Sequence, residues 1–502
     1  MHASTEITKS KATDPSTETT KPKATDPEEN SSRYIRWKKS TKALLSSVRK
    51  QTCEPYSIPV VPDNLRQSNE SAYIPKVVSI GPQYKERREL LQAEEIKWRC
   101  VTTLLSRTFG LDAIENCMKA VLEIDETVRA SYVDKIKLDR YDLATNIVFD
   151  GCFLLELIIC ESKYDSELPI PFNGTSPGIE VKKMDYVMSD LMLLDNQIPI
   201  YILEILFTNL LGSSPQMREF IQNLVLPVFG YSGKLMVKST VHFLDIAYSY
   251  LEMEWIDQKK KKEEEENVIP DDKLINQYRD IDQDPNLKLN LNRCATRLKA
   301  VGITIECLDV PDKKNFIAFT EFNREKRILR IPKLVINNQT EATWRSFIAW
   351  EHHKKKLKSG SVSDTDRLSV CTSSAMLFSD LICCTGDVKL LKDKGVIVVD
   401  DTLKLSNRDL VAYFHLIAKG VDRRIIDLNH FAMFDAMNTI PTKNYVTKVF
   451  IFLLHLFCKF FDWCYNVHEF FKTGYNYAFS IVGILTVVQT CYSVVSYHFP
   501  KK

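Results

Sequence analysis

The sequence predicts a mainly α fold: a large helical body with a small antiparallel β patch and one C-terminal transmembrane helix. Three observations predict it. Long stretches carry apolar residues spaced among charges, as helices with one buried face do. Glycine is scarce, 15 in 502 residues, which argues against a turn-rich β fold and against Gly-rich phosphate loops. Between Lys472 and Lys501 there are 28 residues with no Asp, Glu, Lys or Arg.

The totals bound the classes. With 44% hydrophobic and 26% charged residues the chain can bury a core, and its length suits one large or two medium domains. A net charge of +2 gives no global field for nucleic acid, so no nucleic-acid partner is expected. The 13 cysteines run from Cys53 to Cys491 without a C-x-x-C, and the close pair is the vicinal Cys383-Cys384. They read as free buried thiols in a reducing compartment, so neither a metal nor a cofactor is expected.

Residues 1–50 are polar and basic, and Lys11-Ala12-Thr13-Asp14-Pro15 recurs as Lys23-Ala24-Thr25-Asp26-Pro27. Such a segment cannot bury enough apolar surface to order itself and is predicted to be disordered. It has no apolar run and is not a secretory signal. A mainly helical body follows over 51–445. Pro55, Pro59, Pro62, Pro75 and Pro82 hold its first stretch extended or turning. Helices are predicted over 85–108, 111–130 and 139–160, the last so apolar that it must lie deep in the core. Further helices are predicted over 181–195, 200–211 (with Pro199 in the first turn), 216–226 and 239–255. Asn196 and Gln197 lie beside this core and must find partners, for which the free helix ends next to them are the natural supply.

The run Lys259-Lys260-Lys261-Lys262-Glu263-Glu264-Glu265-Glu266 reads as a solvated helix tail and charged linker over about 257–285. Runs at 303–310, 315–322 and 327–331 are β-branched and aromatic, with turns between them, and predict the antiparallel patch. Helices resume at 341–356, 364–384, 387–394 and 407–417.

Few motifs suggest chemistry. Gly174-Thr175-Ser176-Pro177-Gly178 spells a nucleophile elbow, but Pro177 has no N–H to give an oxyanion hole. His352 and His353 are adjacent and so point about 100° apart on a helix, which prevents them from clamping one ion alone; they read as the exposed end of a helix. His242 reads as a satisfied core residue. No catalytic, cofactor-binding or metal residue is assigned, and the chain is read as a non-enzyme.

The uncharged run predicts a membrane helix over 475–499, since about 20 residues span the hydrocarbon core. Tyr475, Tyr477 and Tyr497 suit its interfaces, and Gln489 and Thr490 place polar groups at mid-depth. Residues 446–472 read as an amphipathic juxtamembrane segment, because Val449 to Cys458 is too short to cross. Flanking charge is balanced, with Lys459 and Lys472 before the span and Lys501 and Lys502 after it. The missing signal sequence favours a cytosolic body on the plasma membrane or an endomembrane. Asn30, Asn69, Asn173 and Asn338 begin glycosylation sequons, about as many as chance gives in so long a chain.

Four stretches carry a resemblance. They are Ala72-Tyr73-Ile74-Pro75 leading to Val77-Val78-Ser79-Ile80-Gly81-Pro82; Asp150-Gly151-Cys152-Phe153-Leu154-Leu155-Glu156; Asp190-Leu191-Met192-Leu193-Leu194-Asp195-Asn196-Gln197-Ile198-Pro199; and Arg345-Ser346-Phe347-Ile348-Ala349-Trp350-Glu351. In that order, with Thr486-Val487-Val488-Gln489-Thr490 in the terminal segment, the chain resembles the plant family called domain of unknown function 247, or uncharacterised protein family 0481. Relatives usually carry Tyr-His or His-His where this chain has Gln83-Tyr84, Glu where it has Asp195, and Gln where it has His352. The resemblance implies a plant membrane protein without an established catalytic activity, and some grass relatives are linked to pollen self-incompatibility recognition. The expected function is a membrane-anchored interaction, recognition or signalling module that meets the lipid bilayer and a protein partner. The alternative is a membrane-bound, hydrolase-like enzyme whose site no recognisable motif encodes.

Overall fold

Helices form where apolar positions recur, and their ends are set by side chains that capture free backbone groups. The computed structural model describes residues 57–107, 111–161, 181–211, 216–236, 240–266, 290–308, 320–357 and 369–441, with isolated helical positions at Leu453, Leu456, Phe460, Thr486 and Gln489. All belong to the compact unit Tyr56–Lys502. The predicted disordered segment 1–50 and the Gly174 to Gly178 match lie outside the described residues. So do the juxtamembrane and terminal membrane segments, apart from those isolated positions.

The first half is a helical bundle: α1 (Leu91–Arg107), α2 (Leu111–Glu123), α3 (Asp125–Ala130), α4 (Arg140–Glu161), α5 (Val181–Leu191), α6 (Ile200–Leu211), α7 (Met217–Val225) and α8 (Phe243–Glu266). Helix α4 is the hub, packing on α1, α2 and α6. Among the described residues it is the one helix long and apolar enough to cross a membrane, but 89% of its apolar window is buried in the body, so it serves as a core helix. Gly151 permits its close approach to α6, because a Cβ there would stand 2.2 Å from Leu206 Cδ1.

Several helix boundaries depart from the sequence reading: the first helix begins at Leu91 rather than 85, and the 239–255 helix begins at Phe243. The stretch 111–130 breaks at Ile124, where Asp125 and Glu126 open a new first turn. The helix over 181–195 stops at Leu191, because side chains of Asn196 and Gln197 take the carbonyls at its end. Helix α8 runs on to Glu266, so residues 257–266 of the expected linker are helical. Lys259 to Lys262 stand four residues before Glu263 to Glu266, a spacing at which opposite charges support a helix.

The second half mixes α9 (Ala295–Ala300), β1 (Thr304–Leu308), β2 (Glu321–Asn323), β3 (Ile328–Pro332), β4 (Leu334–Ile336), α10 (Thr340–Leu357), α11 (Val370–Leu381), α12 (Thr385–Asp393), β5 (Ile397–Val399), α13 (Asn407–Ala418) and α14 (Leu428–Asn438). The β patch is not purely antiparallel. Strand β3 is central, parallel to β1 and antiparallel to β2, and β4 pairs parallel with β5 in a second sheet. Local turn signals reveal the β2–β3 hairpin, whereas the β1–β3 pairing depends on burying Ile305, Leu329 and Ile331 together. Strand β2 is also shorter than expected; residues 309–319 lie outside the described set.

Candidate functional site

Beyond the 3-10 turn that ends at Tyr73, the first motif has no regular secondary structure. Pro75 and Pro82 keep it out of a helix, so its backbone groups need partners from elsewhere. Asp190, at the end of α5, accepts the N–H groups of Lys76, Val77 and Val78 at 2.8, 2.7 and 2.9 Å. Asn196 accepts from Ile80 N at 2.7 Å and donates to Val78 O and Asp190 O. Gly81 N donates to Asp150 Oδ2 at 2.7 Å. Gly81 has φ +80°, and a Cβ there would lie 2.5 Å from the Gln197 carbonyl oxygen, so only glycine fits.

Gln197 then joins two helices. Its amide donates to Leu191 O and Leu193 O at 2.6 and 2.8 Å, and its carbonyl accepts Leu244 N at the start of α8. The expected capture of free helix ends is observed for both Asn196 and Gln197, which are fully buried.

A charged centre lies beside this segment. Lys97 Nζ touches Asp150 Oδ1 at 2.6 Å and Glu94 Oε1 at 2.7 Å, and donates to Ser79 Oγ at 3.3 Å. Lys85 Nζ completes it on Glu94 at 2.5 Å. Burial opposes the charge on Lys97, but the pull of Asp150 and Glu94 outweighs it and holds the ammonium above its usual range. Arg66 pairs with Asp195, which also accepts the Tyr84 hydroxyl at 3.3 Å.

The fourth motif builds a second centre with α8. Glu351 accepts Tyr248 Oη at 3.0 Å, Cys371 N at 2.8 Å and Thr372 N at 2.7 Å. Burial pushes its carboxyl up to about 7. Trp350 Nε1 donates to Asp245 Oδ1 at 2.9 Å, and its ring meets the edge of His242 at 4.7 Å. His242 Nδ1 accepts Asp245 N, while its Nε2 has no hydrogen-bond partner among the described residues, so the reading of a satisfied core histidine holds for one nitrogen only. Burial lowers His242 to about 3. His352 and His353 are not an exposed helix end: both are half-buried, His353 stacks on Trp350, and burial lowers His352 to about 4. This end of α10 is held against its neighbours: Lys354 pairs with Glu252 of α8, and Lys355 donates to Arg424 O.

Arg345 Nε pairs with Glu341 at 2.9 Å and its Nη1 reaches Ser68 Oγ at 3.1 Å, tying α10 to the turn before the first motif. The first three motifs thus meet through buried polar groups, and Arg345 ties the fourth to the turn before the first. Sequence reading singled out Asn196 and Gln197 and quoted Glu351 only within the fourth stretch, but it did not name Glu94, Lys97 or Asp245. A lysine on an amphipathic helix carries no mark that it faces inward.

An accessible concavity lies elsewhere. A groove of about 410 Å³ runs between α5 and the start of α10, floored by Met184, Met188, Met192 and Phe229 and edged by Lys333 and Gln339. Its lining contains no Ser, Cys or His. Gln339 Nε2 bonds Asp185 Oδ1 across its rim at 3.2 Å.

The arrangement defines a helical protein whose signature motifs are framework. Residues 58–485 match the family described as plant protein of unknown function (DUF247), and the chain belongs to that family. It is similar to UPF0481 protein At3g47200 of Arabidopsis thaliana, at 24% identity over 476 residues covering 91% of this chain and 90% of the relative. No solved structure matches.

Proposed function

We propose that this chain is a membrane-anchored recognition module rather than a catalyst. The observation that carries the reading is how the polar motif residues are used. Asp150, Asp190, Asn196, Gln197 and Glu351 are buried and accept or donate to backbone groups, leaving them no substrate to meet. A catalytic site needs convergent titratable groups facing a cavity. The groove combines methionines, whose flexible thioethers adapt to varied apolar partners, with Asp185 and Lys333, which suit polar contacts. The uncharged residues 473–500 supply the anchor, and the body faces a protein partner from the cytosolic side of the plasma membrane or an endomembrane.

Proximity labelling in plant cells tests this with four forms: the intact chain, a truncation ending at Lys472, the bare tail, and Met188→Glu in the groove. The intact chain is expected to enrich proteins that the bare tail does not. The truncation should leave the membrane fraction, and Met188→Glu should lose the enriched set while staying membrane-bound. If the intact chain enriches nothing beyond the bare tail, the recognition reading fails; if the truncation stays in the membrane fraction, the anchor reading fails.

A further inference from the structure

The vicinal cysteines do not stand alone in the fold. Cys294 precedes α9, Cys383 and Cys384 precede α12, and Asp387 is in the first turn of α12. Packing of α9 on α12 brings them together. The sulfur atoms of Cys294 and Cys383 and a carboxylate oxygen of Asp387 all lie within 4.8 Å of one another. Cys383 Sγ is 3.3 Å and Cys384 Sγ 3.4 Å from Asp387 Oδ2.

These separations match a tetrahedral ion. With Zn–S bonds of about 2.3 Å and a Zn–O bond of about 2.0 Å, neighbouring ligand atoms stand roughly 3.5–3.8 Å apart. The carboxylate is already oriented by the protein: Oδ1 accepts Thr296 N at 2.8 Å, and Oδ2 accepts the N–H groups of Cys383 and Cys384 at 3.1 Å each. Such support fixes a ligand before the ion arrives. Cys294, Cys384 and Asp387 are buried, whereas Cys383 is half-buried and gives the path to solvent.

We propose that Cys294, Cys383 and Asp387 bind one Zn²⁺ ion, with a water in the fourth position, that staples α9 to α12. Each thiol exchanges its S–H proton for an S–Zn bond and releases that proton to solvent, while the carboxylate donates an oxygen lone pair. The protein donors come from before α9 and from the N-terminus of α12, so the ion bridges two segments far apart in the chain. It ties the segment before α9 to the C-terminal helices.

The test uses the full chain, purified in detergent under reducing conditions, with Zn²⁺ and Co²⁺ as probes. Wild type is expected to hold about one ion per chain, to give a tetrahedral cobalt spectrum with thiolate charge transfer, and to gain thermal stability on adding Zn²⁺. Cys383→Ser should weaken Zn²⁺ binding by about tenfold or more and lose the charge-transfer intensity of one thiolate. Cys160→Ser, outside the cluster, should change neither. Circular dichroism of the metal-free forms separates loss of a ligand from loss of fold. The proposal is overturned if reduced, folded wild type binds less than one Zn²⁺ per chain, or gives a cobalt spectrum that Cys383→Ser leaves unchanged. Recovery of a Cys294–Cys383 disulfide whose reduced form takes up no zinc would overturn it equally.

Discussion

Asp150 and Glu351 are both fully buried carboxylates, yet only Asp150 has an ammonium beside it. Lys97 neutralises Asp150 and also pairs with Glu94, which Lys85 shares. Glu351 receives a tyrosine hydroxyl and two backbone N–H groups, and burial pushes it up to about 7. The two centres show two ways to keep a carboxylate in a core. One brings a counter-charge, and the other lets the proton stay. The first resists pH but fails if a partner is deleted; the second tolerates a neutral isostere but responds to pH.

The largest expected effect breaks the first centre. Asp150→Ala leaves the buried Lys97 without its nearest counter-charge and Gly81 N without its acceptor, and should cost about 3–5 kcal/mol in urea denaturation. A loss under about 1 kcal/mol would mean that Glu94 alone suffices.

Next is the pH response of the second centre. The folded carboxyl of Glu351 sits above its ordinary 4.5, so this contribution to stability is full below about pH 4.5 and is lost as pH rises through about 7. Its size is roughly 3 kcal/mol across that window. Glu351→Gln, measured by chemical denaturation at several pH values, should remove that slope at a fixed cost of about 1–3 kcal/mol for the mismatched Thr372 N–H. An unchanged slope would assign the titration to another group.

Gly81→Ala probes geometry rather than charge. A positive φ and the close Gln197 oxygen should together cost about 2 kcal/mol in thermal melts. The smallest effect is expected at His242, beside the second centre. Its folded value near 3 lies below the ordinary 6.5, so its contribution is present above pH 6.5 and is lost as pH falls. At about pH 5.5 wild type should lose about 1.4 kcal/mol through this group, a loss that His242→Phe lacks once its pH-independent offset is subtracted.

Much of the helical body was legible because apolar periodicity is local. The helix at Ile200–Leu211 falls where its sequence predicts, and α4 lies in the core as its composition demands. Asn196 and Gln197 were legible as obligatory donors and acceptors, since polar side chains between apolar runs must pair. Lys97 and Glu351 were not, because their helices carry charges on several sides and only packing decides which charge faces inward. Cys294 and Cys383 were unreadable as a pair for the same reason: their spacing in the chain carries no trace of their separation in the fold.

The sequence by itself determined the helical class, the family and the uncharged run at 473–500, since each depends on residue types in order. Tertiary structure alone decided that β3 is central, that the first three motifs share one buried polar framework, and that three thiols surround Asp387. Local preferences act over a few residues. Strand pairing, burial of charge and assembly of a donor set depend on which distant surfaces exclude water together.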